Sequence, residues 1–231
     1  MNASKNTRLG SCLNDLLPTG SAHPCMARSF RCFRLSKVAF IGDIAKFFNS
    51  VYLSQESMPY SLFVMRLPSG TKADPAETYI TTRLMYGIKC STTIAQTALQ
   101  IILEEELKEC ECQGQDNLAA TCPGKAHLLN DVISTIYVDD LFNGRNSLQK
   151  AKELMNYINQ TLAKYGFTIK GWTYTGQPYS ADDPVRDKHG MVATAGGLYC
   201  PQTDTWQYKP AKVHNGRKQR GLVIAEKTTS T

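Results

Sequence analysis

The sequence predicts an α+β fold, an antiparallel sheet with helices on one face, and three observations carry that prediction. Apolar runs end on acids at Asp43 and again at Asp139-Asp140. Two stretches of helical spacing lie around the second run, and the chain order reads strand, helix, hairpin, helix, strand. With 42% hydrophobic and 20% charged residues over 231 positions, there is enough apolar material for one substantial core.

Residues 1–36 read as irregular and basic, with a turn at Pro18-Thr19-Gly20 and a short helix over 26–35. Lys37-Val38-Ala39-Phe40-Ile41-Gly42 forms a strand that delivers Asp43, and residues 44–52 continue as a helical turn carrying Phe47 and Phe48. Residues 61–67 and 77–85 pair as strands around Pro68-Ser69-Gly70 and Asp74-Pro75. From Ser91 the period changes, and Ile94, Ala98, Ile101, Ile102 and Leu103 share one helical face to about Leu107. Glu104, Glu105, Glu106 and Glu109 then lead into a surface loop marked by residues 113–117 and Pro123-Gly124. The run Val132-Ile133-Ser134-Thr135-Ile136 rises to a hairpin at Tyr137-Val138-Asp139-Asp140 and returns through Leu141-Phe142-Asn143-Gly144. Ser147 caps a helix with Leu148, Ala151, Leu154, Met155, Ile158 and Leu162 at helical spacing, and Gly166 stops it. Strands at 167–172, 192–199 and 205–209 complete the order, around a polar loop over 175–190.

The net charge of +6 is unevenly spread. Residues 1–42 hold six Lys/Arg against one acid, and residues 205–231 again six against one, which leaves the middle at −4. Basic ends are ordinarily solvated tails, but they also suit a molecule that gathers acids around metal ions and bases along a nucleic-acid backbone. No run nears the roughly 20 apolar residues of a membrane-spanning helix, and no secretory signal is visible. The eight cysteines are therefore expected as reduced thiols in a cytosolic or nuclear protein, outside the secretory route. Cys110, Cys112, Cys122 and His127 can be read as a zinc cluster, although a Cys-x-Cys opening fits structural zinc poorly.

Adjacent carboxylates repel and raise each other's pKa, so the Asp139-Asp140 pair calls for a cation. A hard divalent ion such as Mg²⁺, held by one or two carboxylates and substrate phosphates, answers that need, with Asp43 as the third acid. Read alone, Asp139-Asp140 is equally an ordinary turn pair.

The set of an apolar strand ending in Asp43, an aromatic at Phe48 and a hairpin bearing Asp139-Asp140 resembles the palm of reverse transcriptases. Further blocks follow in the order of that family: residues 83–96 with Tyr86 and Gly87, residues 166–172, and the hairpin start at Gly197-Leu198-Tyr199-Cys200-Pro201 with Asp204-Thr205-Trp206. Ser11-Cys12-Leu13-Asn14-Asp15-Leu16-Leu17 points within that family to Pao/BEL-type LTR retrotransposons. The resemblance implies an RNA-directed DNA polymerase that joins deoxynucleotides to a primer 3′ hydroxyl on an RNA or DNA template, with two Mg²⁺ or Mn²⁺ ions. It implies catalysis by Asp43, Asp139 and Asp140, metal binding by these with Ile44, and nucleotide binding by Ile44, Phe48, Tyr86, Gly87 and Lys170. Phe48 would exclude a ribose 2′ hydroxyl, with Phe47 as the neighbouring candidate and a core role as the plain alternative. Lys170 would meet the triphosphate or pyrophosphate, or is a solvated strand lysine.

The same resemblance divides the chain into partial fingers over 1–36, a palm over 37–210 with a fingers insertion near 53–85, and a basic tail over 211–231 that ends before a thumb. Thumb, ribonuclease H, protease and integrase are expected as further parts of a polyprotein. A catalytically inactive palm remnant and another two-metal enzyme, such as a nucleotide cyclase, are the competing readings.

Overall fold

The computed structural model describes residues 3–6, 8, 10–18, 20, 25–66, 75–116 and 131–208, with 110–116 and 208 described through their backbone. Its centre is a four-stranded antiparallel sheet in the order β4 (Ile136–Tyr137), β5 (Asp140–Arg145), β1 (Val38–Ala45), β6 (Thr168–Tyr174). The two middle strands are covered on both faces, which explains why Val38-Ala39-Phe40-Ile41 reads as a continuous apolar run.

Alternation along β1 sends its side chains into two cores. Phe40 and Ile44 join Leu141, Leu99, Leu103, Leu154, Ile158 and Phe167 beneath α3 (Ser91–Asp116) and α4 (Leu148–Lys164). Ala39 and Ile41 join Phe33, Phe142, Val192 and Tyr199 on the opposite face. There α2 (Met26–Arg34), which follows the short α1 (Leu13–Leu16), packs with a three-stranded sheet, β7 (Val192–Thr194), β8 (Gly197–Cys200) and β9 (Thr205–Tyr208). Helices therefore occupy both faces rather than the one face expected, because the central strands bring apolar residues to each side.

Several elements differ in extent from the sequence reading. The strand pair expected over 61–67 and 77–85 is shorter, β2 (Leu62–Met65) with β3 (Glu77–Ile80). The expected strand over 192–199 is a hairpin of β7 and β8, turned at Ala195-Gly196, both with φ positive at 46° and 78°. The apolar run before Asp139 is mostly not strand: residues 131–133 are helical, and the Thr135 hydroxyl bonds the carbonyls of Asp131 and Val132, leaving two residues for β4. The helical turn expected over 44–52 is confined to a 3-10 turn at Phe47–Ser50, because β1 carries on through Ile44 and Ala45.

Helix α3 runs nine residues past Leu107, so residues 113–116 are helical rather than loop. Its buried stripe is Ala95, Leu99 and Leu103 with Ser91 and Glu106, whereas Ile94 and Ile101 are 41% and 48% exposed. Apolar residues surround this helix: of the predicted face Leu103 is buried and Ile102 packs against the core, whereas Ile94 and Ile101 turn outward. Glu106 is buried and both its oxygens take the Lys164 ammonium at 2.8 Å, which clamps α3 to α4. The α4 boundaries match the reading: Ser147 accepts from the Lys150 N–H as N-cap, and Gly166 ends it at φ +79°.

Cys110 and Cys112 lie on the helical backbone, where positions two apart do not share a face. Cys122 and His127 lie outside the described residues, as do the Pro68 turn and the basic tail from 209. Cys12, Cys25, Cys32, Cys90 and Cys200 are free thiols. No helix among the described residues is long and apolar enough to cross a membrane.

Candidate active site

Strand register brings two of the acids together. Asp43 on β1 stands directly opposite Asp140 on β5, and residues so paired share one face, with Cβ atoms roughly 5 Å apart. Like charges placed that way oppose each other. Asp139 occupies the corner of the β4–β5 hairpin, and its carbonyl accepts the Ile44 N–H at 3.0 Å, which docks the corner onto the end of β1.

The corner itself is strained. Val138, the first of its two turn residues, sits at φ +56°, a region that β-branched residues rarely enter. Glycine usually holds that place in a tight hairpin. Strain of this kind persists only where its surroundings hold it, and it clusters at working sites.

Lys170 reaches the same place through a bulge. Between Asp43 and Ile44 the pairing with β6 slips from Gly171 to Ile169, which leaves Lys170 as the extra residue. Regular alternation would give Lys170 the face of Trp172. The bulge instead lets its ammonium meet Asp43 Oδ2 at 3.4 Å, a use of bulges common beside active sites. Gly42 completes the local geometry, since a Cβ there would lie 2.5 Å from the Trp172 ring.

Burial sets the electrostatics. Desolvation pushes the Asp139 carboxyl above the usual carboxylate range, and the charge of Asp43 adds to the rise. Asp140 goes further, to about 7, chiefly by burial, with Asp139 and Asp43 raising it and bonds from Thr194 and Ala195 holding it back. Those bonds are specific. Thr194 Oγ1 donates to Asp140 Oδ2 at 2.5 Å, and the Ala195 N–H donates to the same oxygen at 3.2 Å.

The donor chemistry suits a hard divalent cation: carboxylates from two strands meet, and two of them are destabilised as anions without a counter-charge. The side chains are not gathered around one point, however. Among the described residues no group of three or more His, Cys, Asp or Glu is disposed to hold a metal ion. Asp140 has one oxygen committed to the β7–β8 turn and Asp43 is partnered by Lys170.

A second group lies just past Asp43. Phe48 is buried, with 8% of its surface exposed, and stacks edge-on against Tyr86 at 4.8 Å. Tyr86 is exposed. Phe47 is sealed in the core against Phe167, so of the two rings Phe48 is the one with an edge toward solvent. Ile44 is 1% exposed and its side chain belongs to the core, so only its backbone is free to serve a site.

Gly87 takes a left-handed φ of +81°, a turn that glycine makes without strain. Asn14 brackets this turn from the N-terminal segment: its amide donates to the Gly87 carbonyl at 2.9 Å, and its carbonyl accepts the Lys89 N–H at 2.8 Å. The structure thus sets Asp43, Asp139, Asp140 and Lys170 as neighbours without converging the carboxylates on one point, and places Phe48, Tyr86 and Gly87 in a second group beside the end of β1. Thr194 and Asn14 are contributors that residue-by-residue reading does not single out. Asn14 stood within a quoted motif without a role, and Thr194 meets its partner across 54 positions.

Against known proteins, the sequence model of one family, described as reverse transcriptase (RNA-dependent DNA polymerase), matches residues 8–171, a span that includes all three acids and Lys170. No curated protein matches the chain.

Proposed function

Since the chain belongs to the reverse transcriptase (RNA-dependent DNA polymerase) family, and is by that membership an RNA-directed DNA polymerase, we propose a specific working site for it. Asp43, Asp139 and Asp140 hold two Mg²⁺ or Mn²⁺ ions, with the Ile44 backbone as a further ligand. The carrying observation is the Asp43–Asp140 register on one face of β1 and β5, with Asp139 at the docked corner beside them.

When bound, such ions would lower the pKa of the primer hydroxyl and stabilise the negative charge of the leaving pyrophosphate. The protein's own residues supply the rest. Strand pairing fixes the carboxylates before substrate arrives, so little reorganisation is left for the reaction. Lys170, which meets Asp43 at 3.4 Å, would be free to pair with the triphosphate once a cation took over the Asp43 charge. Phe48, braced by Phe47 and Tyr86, presents its edge to the sugar and excludes a 2′ hydroxyl. Tyr86 and the Gly87 turn, held by Asn14, line the nucleotide's other side.

We place this domain in the polyprotein of a Pao/BEL-type LTR retrotransposon, acting on an RNA or DNA template with primer and deoxynucleoside triphosphates. Thumb, ribonuclease H, protease and integrase are its expected companions. Residues 37–210 are the palm, with the β2–β3 pair as the fingers insertion.

Primer extension on an RNA template with Mg²⁺ or Mn²⁺ tests the reading. Wild type is expected to extend and Asp139→Asn to stay at background. Equal background in both, from well-folded protein, would favour an inactive palm remnant, which the commitment of Asp140 Oδ2 to Thr194 and Ala195 also suits.

A further inference from the structure

Resting on the site just proposed, we infer that Thr194 is a positioning residue, which makes Asp140 a one-oxygen ligand and ties the β7–β8 hairpin to the cation site. Both donors of the β7–β8 turn, the Thr194 hydroxyl and the Ala195 N–H, land on Oδ2 of Asp140. Oδ1 is therefore the oxygen left for a cation. Ligating carboxylates are ordinarily oriented by such outer hydrogen bonds, and loss of the outer partner weakens metal binding about 10- to 100-fold.

The turn is shaped for this contact. Thr194 pairs with Gly197 across a two-residue loop whose members, Ala195 and Gly196, both have positive φ. Asn or Gly ordinarily fills the first place of such a loop. Alanine there holds a left-handed backbone that L side chains ordinarily avoid. With the chain so turned, its N–H points at the carboxylate beside the threonine hydroxyl.

The anchoring beneath the turn is firm. Tyr199, on β8, is fully buried against Phe33, and its hydroxyl donates to Asp204, which also takes Arg34 of α2. Displacement of the hairpin is then felt at Asp140 before it is felt at Asp43 or Asp139, which make no contact with it among the described bonds.

Mn²⁺ binding followed by electron paramagnetic resonance, with no primer or nucleotide present, tests this on the whole chain. Thr194→Val removes the hydroxyl at nearly constant shape, and Thr194→Ser restores it; Thr194→Ala is the second hydroxyl-less variant should valine fail to fold. The expected result is binding weakened about 10- to 100-fold by valine or alanine and kept near wild type by serine. Wild-type binding in the valine and alanine proteins would overturn the inference, even if their Tm fell. Asp43→Asn separates the two readings: if it too binds Mn²⁺ like wild type, the proposed cation site itself fails, whereas lost binding there with intact binding in Thr194→Val removes Thr194 alone.

Discussion

The two faces of the central sheet are made by the same strands yet serve opposite ends. Under α3 and α4 the face is closed and apolar, filled by Phe40, Ile44, Leu99, Leu103, Leu154 and Ile158. On the other face the apolar cluster of Ile41, Phe142 and Tyr199 runs along β1 and β5 only as far as the next inward position, where Asp43 and Asp140 take over. One side gains stability from dry packing. The other forgoes some of it to hold opposed carboxylates at a fixed spacing, and that concession is legible as raised carboxyl pKa values.

Substitution can break this contrast most sharply at the acids. Asp43→Asn is expected to abolish primer extension while leaving Tm unchanged or higher, because it removes a like charge from the opposed pair; a large loss of Tm would show the acids to be structural. On the closed face Phe40→Ala should cost about 3–5 kcal/mol in urea unfolding, with a lower midpoint and unaltered slope.

The pH dependence belongs to the face that carries the acids. The Asp140 carboxyl, at about 7 when folded against 3.8 for the free group, has its pKa raised by folding. Its contribution to stability is thus complete below about 3.8 and is lost as pH rises through about 7. In EDTA, wild type should lose Tm relative to Asp140→Asn as pH rises from about 4 to about 7, and little more above that. Mn²⁺ should restore it, and parallel curves for the two proteins would deny Asp140 this role.

The smallest effects sharpen the contrast within α3. Leu99→Ala, in the buried stripe, should cost about 2–5 kcal/mol. Ile101→Ser on the exposed side should fall within about 0.5 kcal/mol of wild type by the same measurement.

These pairs also mark where sequence reading succeeds and fails. The start of β1 and both ends of α4 are legible because local chemistry decides them: an unbroken apolar run, a serine cap, a stopping glycine. The acids were legible because adjacent charges at a hairpin demand an explanation. The buried face of α3 was not, since Ile94 and Ile101 are as apolar as Leu99 and only the partner surfaces of β1 and α4 choose between them. Lys170 was assignable to neither role from alternation, because one extra residue in β6 reverses the parity that alternation relies on. The second layer over the acid face, with Thr194 at its tip, was read as one strand, because Ala195-Gly196 is not a pair that announces a hairpin turn.

The central position of β1 has a consequence for biosynthesis. Its two neighbours, β5 and β6, emerge roughly a hundred residues or more behind it, and at about 5–20 residues per second that is an interval of roughly 5–20 s. Through that interval Val38-Ala39-Phe40-Ile41 has neither strand partner, and such long-range pairing is intrinsically slow. The strand that carries Asp43 is thus the one most in need of a chaperone at the ribosome, and a slowly translated stretch before residue 140 would lengthen its exposure.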